Sequence, residues 1–480
     1  MGEILWHVAE VIDATGGECA NGNTWQATGF AMDSREVKKG DLFIALKGDA
    51  ATTKYTSSGH DGHDYVAAAY TNGAVAAIVD HLIDVDIPQI IVPDTFQAFQ
   101  NLARLSRTRP SLRQAIAITG SVGKTGTRDM VKSAFDGADV CVHASIKSYN
   151  NAIGVPYTLA TMPASTEVGI FEVGMNFAGE ISPLSHLIKP TMAIITAIAE
   201  VHIENFNNGI NGIVNAKSEI FDGINANGIA LLPRDNPHYD ELVANARESG
   251  IKHIYSFGEH PESDARLTTS TANADYTHIK ATIMGEDVSY HLNIAGKHIA
   301  INSLSALLAV KLADLNIQDA AKALETIHPI EGRGARQKLY WGDRNNPVIL
   351  IDESYNASPV AVKAALQVLA MMNPTGNGRR IAVLGDMREL GKRSQELHEN
   401  LAQPLQESNV DLVYTCGENM ESLYRKIPEH MQGATTATSD ELAAIIVSTL
   451  QPGDIVLVKG SLGTKMKVIV DSLREGHLEG

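Results

Sequence analysis

The chain has 480 residues, 44% hydrophobic and 20% charged, with a formal net charge of −17 at pH 7. Length alone gives a prior of roughly three domains, and the apolar content is enough for several buried cores. The acidic balance excludes non-specific binding to nucleic acid or anionic lipid, which needs a broad basic surface. Any phosphate must be held by a local cluster of donors, against the overall field. The three cysteines, Cys19, Cys141 and Cys416, lie far apart and form no Cys-x-x-Cys pair. Reduced thiols are therefore expected rather than a disulfide framework or structural zinc. The first sixteen residues have no basic n-region and carry Glu3 and Glu10, so they do not read as a signal peptide. No apolar run approaches the ~20 residues of a membrane span. A soluble cytoplasmic protein, with no nucleic-acid or membrane partner, is the expectation.

In chain order, residues 41–46 and 74–79 read as short strands, 65–72 as a short helix and 49–64 as a polar loop. Residues 95–107 have helical apolar spacing and stop before Pro110, a plausible boundary. From residue 114 the character changes. Segments 115–119, 168–173, 192–198 and 228–232 are short apolar runs of the kind buried on both faces, separated by helical periodicity. That alternation predicts a doubly wound parallel sheet. A third region begins near Pro329, with strands expected at 348–351, 380–384, 412–415 and 455–458. Helices are expected there at 359–371 and 397–407. The predicted fold is α/β in three domains. A small mixed α/β domain spans 1–108, a central P-loop domain with a doubly wound parallel sheet spans 109–328, and a Rossmann-like α/β domain spans 329–480.

The strongest motif is Thr119-Gly120-Ser121-Val122-Gly123-Lys124-Thr125, which follows a strand and opens a helix. Glycines let backbone N–H groups approach phosphates, and the helix N-terminus adds a positive dipole. The lysine reaches the β/γ-phosphates and the threonine hydroxyl suits Mg²⁺. Ile118 stands where the full Walker pattern has its first glycine, so the loop is a shortened form. The motif says nucleotide without naming the reaction.

A second group lies at the carboxyl ends of the next strands, where ligands of open α/β sheets gather. Glu172 ends one strand, His202 follows another, and Lys217 lies beyond on a helix with Glu219. Read singly, Glu172 fits a strand-end salt bridge as well as a ligand, and His202 fits a structural histidine better. Their pairing behind a phosphate loop favours a shared Mg²⁺ or its water shell.

These stretches resemble the Mur ligase family of ATP-dependent amide-forming enzymes. The matching strings are TGSVGKT, KSYNNAIGVPYTL (147–159), FEVGMNFAGEISPLSHLIKPTMAIITAIAEVHIENF (171–206) and NAKSEIF (215–221). Within the family, four further strings look like the branch that adds D-alanyl-D-alanine to UDP-N-acetylmuramoyl-tripeptide. They are DSREVKKGDLFIALKG (33–48), DESYNASPVAVKAAL (352–366), GDMRELG (385–391) and KGS (459–461). The Asp-Asn-Pro-Arg signature of the tripeptide-forming branch is absent.

The resemblance implies an ADP-forming ligase of peptidoglycan precursor synthesis, working through an acyl phosphate with ATP and two Mg²⁺ ions. The N-terminal domain would bind the UDP-sugar, the central one ATP and the C-terminal one the acceptor dipeptide, in a monomer. It implies catalytic roles for Lys124, Glu172, His202 and Lys217, with metal contacts from Thr125, Glu172, His202 and Lys217. Lys217 matches a lysine the family carries as a carbamate. Asn302, Arg333, Asp352 and Glu353 match the nucleotide side. Ser34, Arg35, Asn150, Asn151, Tyr355 and Asn356 match substrate positions.

Three departures stand out. The family's Asp-Asp before Ser-Tyr-Asn-Ala is Asp352-Glu353, leaving open which carboxylate faces the nucleotide. Lys-Gly-Ser continues with Leu462 where arginine is frequent. Residues 50–59 form an unexplained polar insertion. Two rivals, a folate polyglutamate or cyanophycin-type relative and a P-loop switch, lack support. The uridine-type N-terminal motif opposes the first, and the Glu172/His202/Lys217 group opposes the second.

Overall fold

The computed structural model describes residues 3–48, 59–146, 148–225, 227–273 and 275–476. Lys147 and all of the 50–59 insertion except Gly59 lie outside the described residues. Two compact units carry the chain. The first comprises Met1–Thr196, Val214–Ser256 and Leu312–Asn316, the second Ala197–Ile213, Phe257–Lys311 and Ile317–Gly480.

The first unit opens with a five-stranded sheet of β1 (Glu18–Ala20), β2 (Gly29–Ala31), β3 (Asp41–Ile44), β4 (Ala76–Val79) and β5 (Gln89–Ile91), flanked by α1 (Val66–Thr71) and α2 (Thr95–Arg107). The order is β1-β5-β4-β3-β2, and only β1 runs antiparallel to its neighbour. In β3, Leu42 and Ile44 pack with Phe30, Ile78 and Phe99, while Phe43 faces Val66, Ala77 and Val79 on the opposite side. Burial on both faces is why these strands read as unbroken apolar runs. Helix α2 has the bounds its periodicity predicts. Asp94 caps it by accepting the Gln97 N–H at 3.0 Å, which satisfies an otherwise orphaned donor.

A parallel sheet follows, built from β6 (Gln114–Thr119), α3 (Lys124–Gly137), β7 (Val142–Ala144), α4 (Gly154–Ala160), β8 (Val168–Glu172), α5 (Ile181–Ile188), β9 (Met192–Ile195), α6 (Ile210–Ser218) and β10 (Ile229–Pro233). These five strands are ordered β7-β8-β6-β9-β10. From β6 the chain passes to β7, returns to β8 beside β6, and then crosses to β9 and β10 on the other side, so β6 lies at the switch point where such sheets hold ligands. The register brings Glu172 opposite Ile118 and Ile195 opposite Thr119. The carboxyl ends of β8, β6 and β9 are therefore level with one another.

The second unit begins with a feature the sequence reading did not foresee. After β11 (His253–Gly258), whose last residues pair with the next strand, comes an antiparallel meander of β12 (Ala265–Ala272), β13 (Thr277–Ile283) and β14 (Glu286–Leu292). Met284 and Gly285 join β13 to β14 with φ of 47° and 86°, the signature of a two-residue type I′ hairpin. Helix α7 (Lys297–Leu312) follows.

The C-terminal sheet contains β15 (Ala335–Leu339), β16 (Val348–Glu353), β17 (Arg380–Gly385), β18 (Leu412–Cys416), β19 (Gln432–Thr436) and β20 (Ile455–Lys459). Its helices are α8 (Pro359–Ala370), α9 (Ser394–Glu399), α10 (Ala402–Glu407), α11 (Glu418–Lys426), α12 (Ser439–Thr449) and α13 (Lys467–Gly476). The order is β15-β16-β20-β17-β18-β19, with β15 antiparallel. Alternate residues of β17 feed two cores, Ala382 and Leu384 on one face, Ile381 and Val383 on the other. The single helix expected at 397–407 is two, α9 and α10. Pro404 is the third residue of α10, and in a continuous helix its ring would strike the carbonyl of residue 400.

Asp454 anchors the start of β20. Fully buried, it accepts Arg379 Nε at 3.1 Å on Oδ1 and Arg379 Nη2 at 2.7 Å on Oδ2, together with the backbone N–H of Arg379 and Gln451. Asp454→Ala should destabilise the protein by about 3 kcal/mol, because it leaves a partly buried guanidinium and two backbone donors unpaired. The midpoint of urea denaturation checks this.

Candidate active site

The phosphate loop is the turn between β6 and α3. Gly120 and Gly123 have φ of 149° and 85°, and Gly123 is the left-handed residue that starts α3, a conformation costly for other residues. Thr196, just past β9, braces the loop. Its N–H reaches the Thr119 carbonyl at 2.9 Å and its hydroxyl the Val122 carbonyl at 2.6 Å. Lys124 folds back to donate to the Gly120 carbonyl at 2.7 Å.

Level with this loop, the buried Glu172 is the hub of the site. Its Oε2 accepts the Thr125 hydroxyl at 2.9 Å and its Oε1 accepts Asn150 Nδ2 at 2.8 Å. Arg128 Nη1 lies 3.6 Å from Oε2. Two of these partners were expected site residues. Arg128 was not, although its place four residues after Lys124 on a helix puts both on one face. Thr196 was missed too, and its type and position carry no motif. Asn151 is engaged locally, its Oδ1 accepting the N–H groups of Ile153 and Gly154 at the start of α4.

Lys217, near the end of α6, is 2% exposed. Burial first, and the neighbouring Lys124 charge second, hold its amine well below the ordinary lysine value of 10.5, with Glu219 opposing. Glu219 is itself engaged with the N–H groups of Gly179, Ile181 and Ser182 at the start of α5. Lys217 is therefore not an ordinary exposed lysine.

His202 belongs to the second unit. It has φ of 60°, left-handed and uncommon for this residue type, and its Nδ1 pairs with the Glu389 carboxylate. Asn302 is buried on α7. Asp352 and Glu353 part company, as successive strand residues must. Asp352 is 1% exposed and accepts the Ser354 N–H and hydroxyl on Oδ1. Glu353 turns the other way and accepts Lys459 Nζ at 2.8 Å, while Lys459 also reaches the Asn356 carbonyl at 3.0 Å. The guanidinium of Arg333 stacks 4.3 Å above the Tyr355 ring.

In the N-terminal sheet, Arg35 is highly exposed and forks onto Asp33, with Nε 2.9 Å from Oδ1 and Nη2 2.6 Å from Oδ2. Ser34 is buried and its carbonyl accepts Asn72 Nδ2 at 2.8 Å. Arg35 and Lys38 line a cleft of about 810 Å³ that also includes Phe30, Ile146 and Tyr157. A further cluster joins His63, Asp80 and His81. His63 Nε2 accepts the Asp80 N–H at 3.0 Å, its Nδ1 lies 2.6 Å from Asp61, and Lys47 pairs with Asp80. Both ring nitrogens of His63 are committed, so the cluster is a structural clasp.

The Mur ligase middle-domain model matches residues 118–310, and the model of the Mur ligase glutamate ligase domain matches residues 338–462. The UDP-N-acetylmuramoyl-tripeptide--D-alanyl-D-alanine ligase of Rickettsia prowazekii is 34% identical, over 98% of this chain and 99% of its own. The chain belongs to the Mur ligase family. The ligase of the same name from Escherichia coli is 31% identical over 92% of this Mur ligase and 93% of its own length. A crystal structure of MurF from Acinetobacter baumannii superposes with a TM-score of 0.82 at 29% identity, covering 98% of this chain and 99% of that one. The α/β class expected from the sequence is therefore the fold of this Mur ligase, with its parallel-rich sheets.

Proposed function

We propose that this enzyme uses ATP to join D-alanyl-D-alanine to UDP-N-acetylmuramoyl-tripeptide, giving the pentapeptide precursor of peptidoglycan with ADP and phosphate. The observation that carries the reading is the near end-to-end likeness to ligases of that name, together with a phosphate loop facing a buried carboxylate. The similar fold of MurF from Thermotoga maritima has been seen in complex with ADP.

A carboxylate does not react with an amine at pH 7, because it lacks a leaving group. Attack of a carboxylate oxygen on the γ-phosphorus breaks the bond to ADP and makes an acyl phosphate. The amine then attacks the carbonyl carbon, phosphate leaves and the amine loses a proton. The first step brings two anions together, and the Lys124 ammonium is placed to offset their repulsion. The second needs no strong base. An α-amine with pKa near 7.7–8.0 is about 10–17% neutral at pH 7.

The donors present fit magnesium, since Thr125 Oγ1 and the Glu172 carboxylate are hard oxygens 2.9 Å apart beside the loop. The ion would supply charge neutralisation at the γ-phosphate. We assign His202 to the same chemistry on the strength of the resemblance. Lys217 fits a carbamate. Its neutral amine attacks CO₂, a proton leaves, and the product is an anion able to hold a cation. The cleft beside Arg35 and Lys38 suits the uridine diphosphate, and Glu353, rather than Asp352, presents the accessible carboxylate on the nucleotide side. Among the described residues no helix is long and apolar enough to cross a membrane. The three cysteines are free, which agrees with action in the cytoplasm, and we read the working form as a monomer.

The test is phosphate release measured with each component omitted in turn. Release requiring ATP, UDP-muramoyl-tripeptide and D-alanyl-D-alanine together is the expected result. Release with ATP alone, unchanged by the other two, would point to a switch or scaffold and overturn the reading.

A further inference from the structure

Asp352 is a buried carboxylate outside the chemistry of the phosphate loop. Its Oδ1 shapes the end of β16 by accepting the Ser354 N–H and hydroxyl, but its Oδ2 has no hydrogen-bond donor among the described residues. Alternation along β16 turns it, with Val348 and Leu350, toward the sheet face covered by Ile469, Val470 and Leu473 of α13. A buried carboxylate without a cation is costly, and α13 brings one. Arg474 Nη2 lies 3.7 Å from Asp352 Oδ2, and Arg474 Nε donates to Gln337 Oε1 at 2.9 Å.

The same guanidinium reaches a second element. Its Nη1 donates to Glu331 Oε1 at 2.5 Å, and Lys467 Nζ donates to that oxygen at 2.8 Å. Lys467, Asp471 and Arg474 share one face of α13, and Asp471 Oδ1 accepts from both cations, at 3.2 and 3.4 Å. Hydrogen bonds from Lys467 and then Arg474 pull the Glu331 carboxyl down to about 2. Glu331 belongs to the turn before β15, and that turn folds back on the end of β16. The Gly334 N–H reaches the Asp352 carbonyl at 2.8 Å and the Tyr355 N–H the Gly332 carbonyl at 3.1 Å. Gly332 has φ of 76°, and a Cβ on it would lie 3.0 Å from the Tyr355 Cβ, so backbone and close approach both favour glycine. Between these fastenings Arg333 stacks on Tyr355, two residues beyond Glu353.

We propose that Arg474 is a positioning residue for ATP. From α13 it ties the turn carrying Arg333 to the strand end carrying Glu353 and Tyr355, and so holds those three groups as one preformed nucleotide-side surface. This rests on the reading above that ATP is the phosphoryl donor and that Glu353 lies on its side. Arg474 acts through its neighbours, so it governs how tightly the nucleotide is held and leaves the rate of the saturated enzyme alone.

The test combines steady-state kinetics with ADP binding by titration calorimetry on wild-type enzyme, R474L, R474K and E331Q. R474L and E331Q should raise the KM for ATP and the Kd for ADP about three- to tenfold, the range of couplings carried through neighbouring side chains. The kcat at saturating ATP, and the KM values for UDP-muramoyl-tripeptide and D-alanyl-D-alanine, should stay within about twofold of wild type. R474K keeps the charge but not the fork that serves three partners, and should fall between R474L and wild type. Should R474L fail to fold, as judged by its melting curve, R474L/D352N takes its place, since the amide leaves no buried charge unpaired. Unchanged KM and Kd for the nucleotide in R474L, its replacement or E331Q overturns the positioning role, and so does a rise shared equally by all three substrates. A wild-type enzyme that binds no ADP, or releases no phosphate with the full substrate set, would instead remove the parent reading, and this one with it.

Discussion

Lys124→Ala should lower kcat for ligation about a thousandfold or more while leaving the fold intact. The lysine opens α3 directly after the left-handed Gly123, where its ammonium can reach the phosphates. Its hydrogen bond to the Gly120 carbonyl spans four residues of the same loop, so losing it costs little stability. The substitution also removes a positive neighbour from the buried Lys217, a second reason to expect unchanged melting behaviour. Steady-state phosphate release and scanning calorimetry on the same preparation decide the matter. Near-normal turnover in a variant that melts like wild type would sink the assignment of this loop to the reacting phosphates.

Lys217 carries the second large effect. Lys217→Ala should lose activity about a hundredfold and regain part of it when short carboxylic acids are added, since these replace the missing anion. The environment makes the chemistry accessible, because burial and the Lys124 charge keep the amine neutral enough to take up CO₂. A stability effect of opposite sign accompanies it. The unmodified amine titrates below 10.5 in the folded protein, so between that depressed value and 10.5 the unfolded chain binds more protons. Stability then rises with pH across the window and is lost as pH falls through it. Lys217→Met should be inactive, more stable near neutral pH and without that slope. An alanine variant as active as wild type, or one whose lost activity no carboxylic acid restores, would rule out the carbamate.

The residues that could be read from the sequence are those whose local surroundings decide their place. Helix α2 was legible because its apolar spacing and Pro110 agree, and the structure adds Asp94 as its cap. The strands under the loop were legible because burial on both faces leaves an apolar signature. Lys124 and Thr125 followed from the phosphate-loop motif, and Glu172 from the rule that strand ends collect ligands. The failures share a cause in tertiary context. Nothing local in Pro404 says whether a helix will begin two residues before it or run through. The β12–β14 meander alternates in polarity, with Thr277–Ile283 burying every second residue, yet it sits among βα units that suggested more of the same. The division of labour between Asp352 and Glu353 needed the strand's orientation. The burial of Lys217 depends on packing that spacing along a helix does not reveal, and Arg128 and Thr196 act on neighbours 44 to 77 positions away in the chain.

Both cores of the C-terminal sheet are made from residues between Leu339 and Leu473, one uninterrupted stretch of chain. None of those side chains belongs to the cores of the N-terminal sheet. Met387 and Leu390 in the turn after β17, and Met466 after β20, belong to those cores, whereas the exposed positions 388 and 462 do not. In evolutionary terms, this part of the gene is free to change at its exposed turn positions without disturbing the packing of the N-terminal sheet. The loop that spends ATP, encoded more than two hundred codons upstream, need not follow each step.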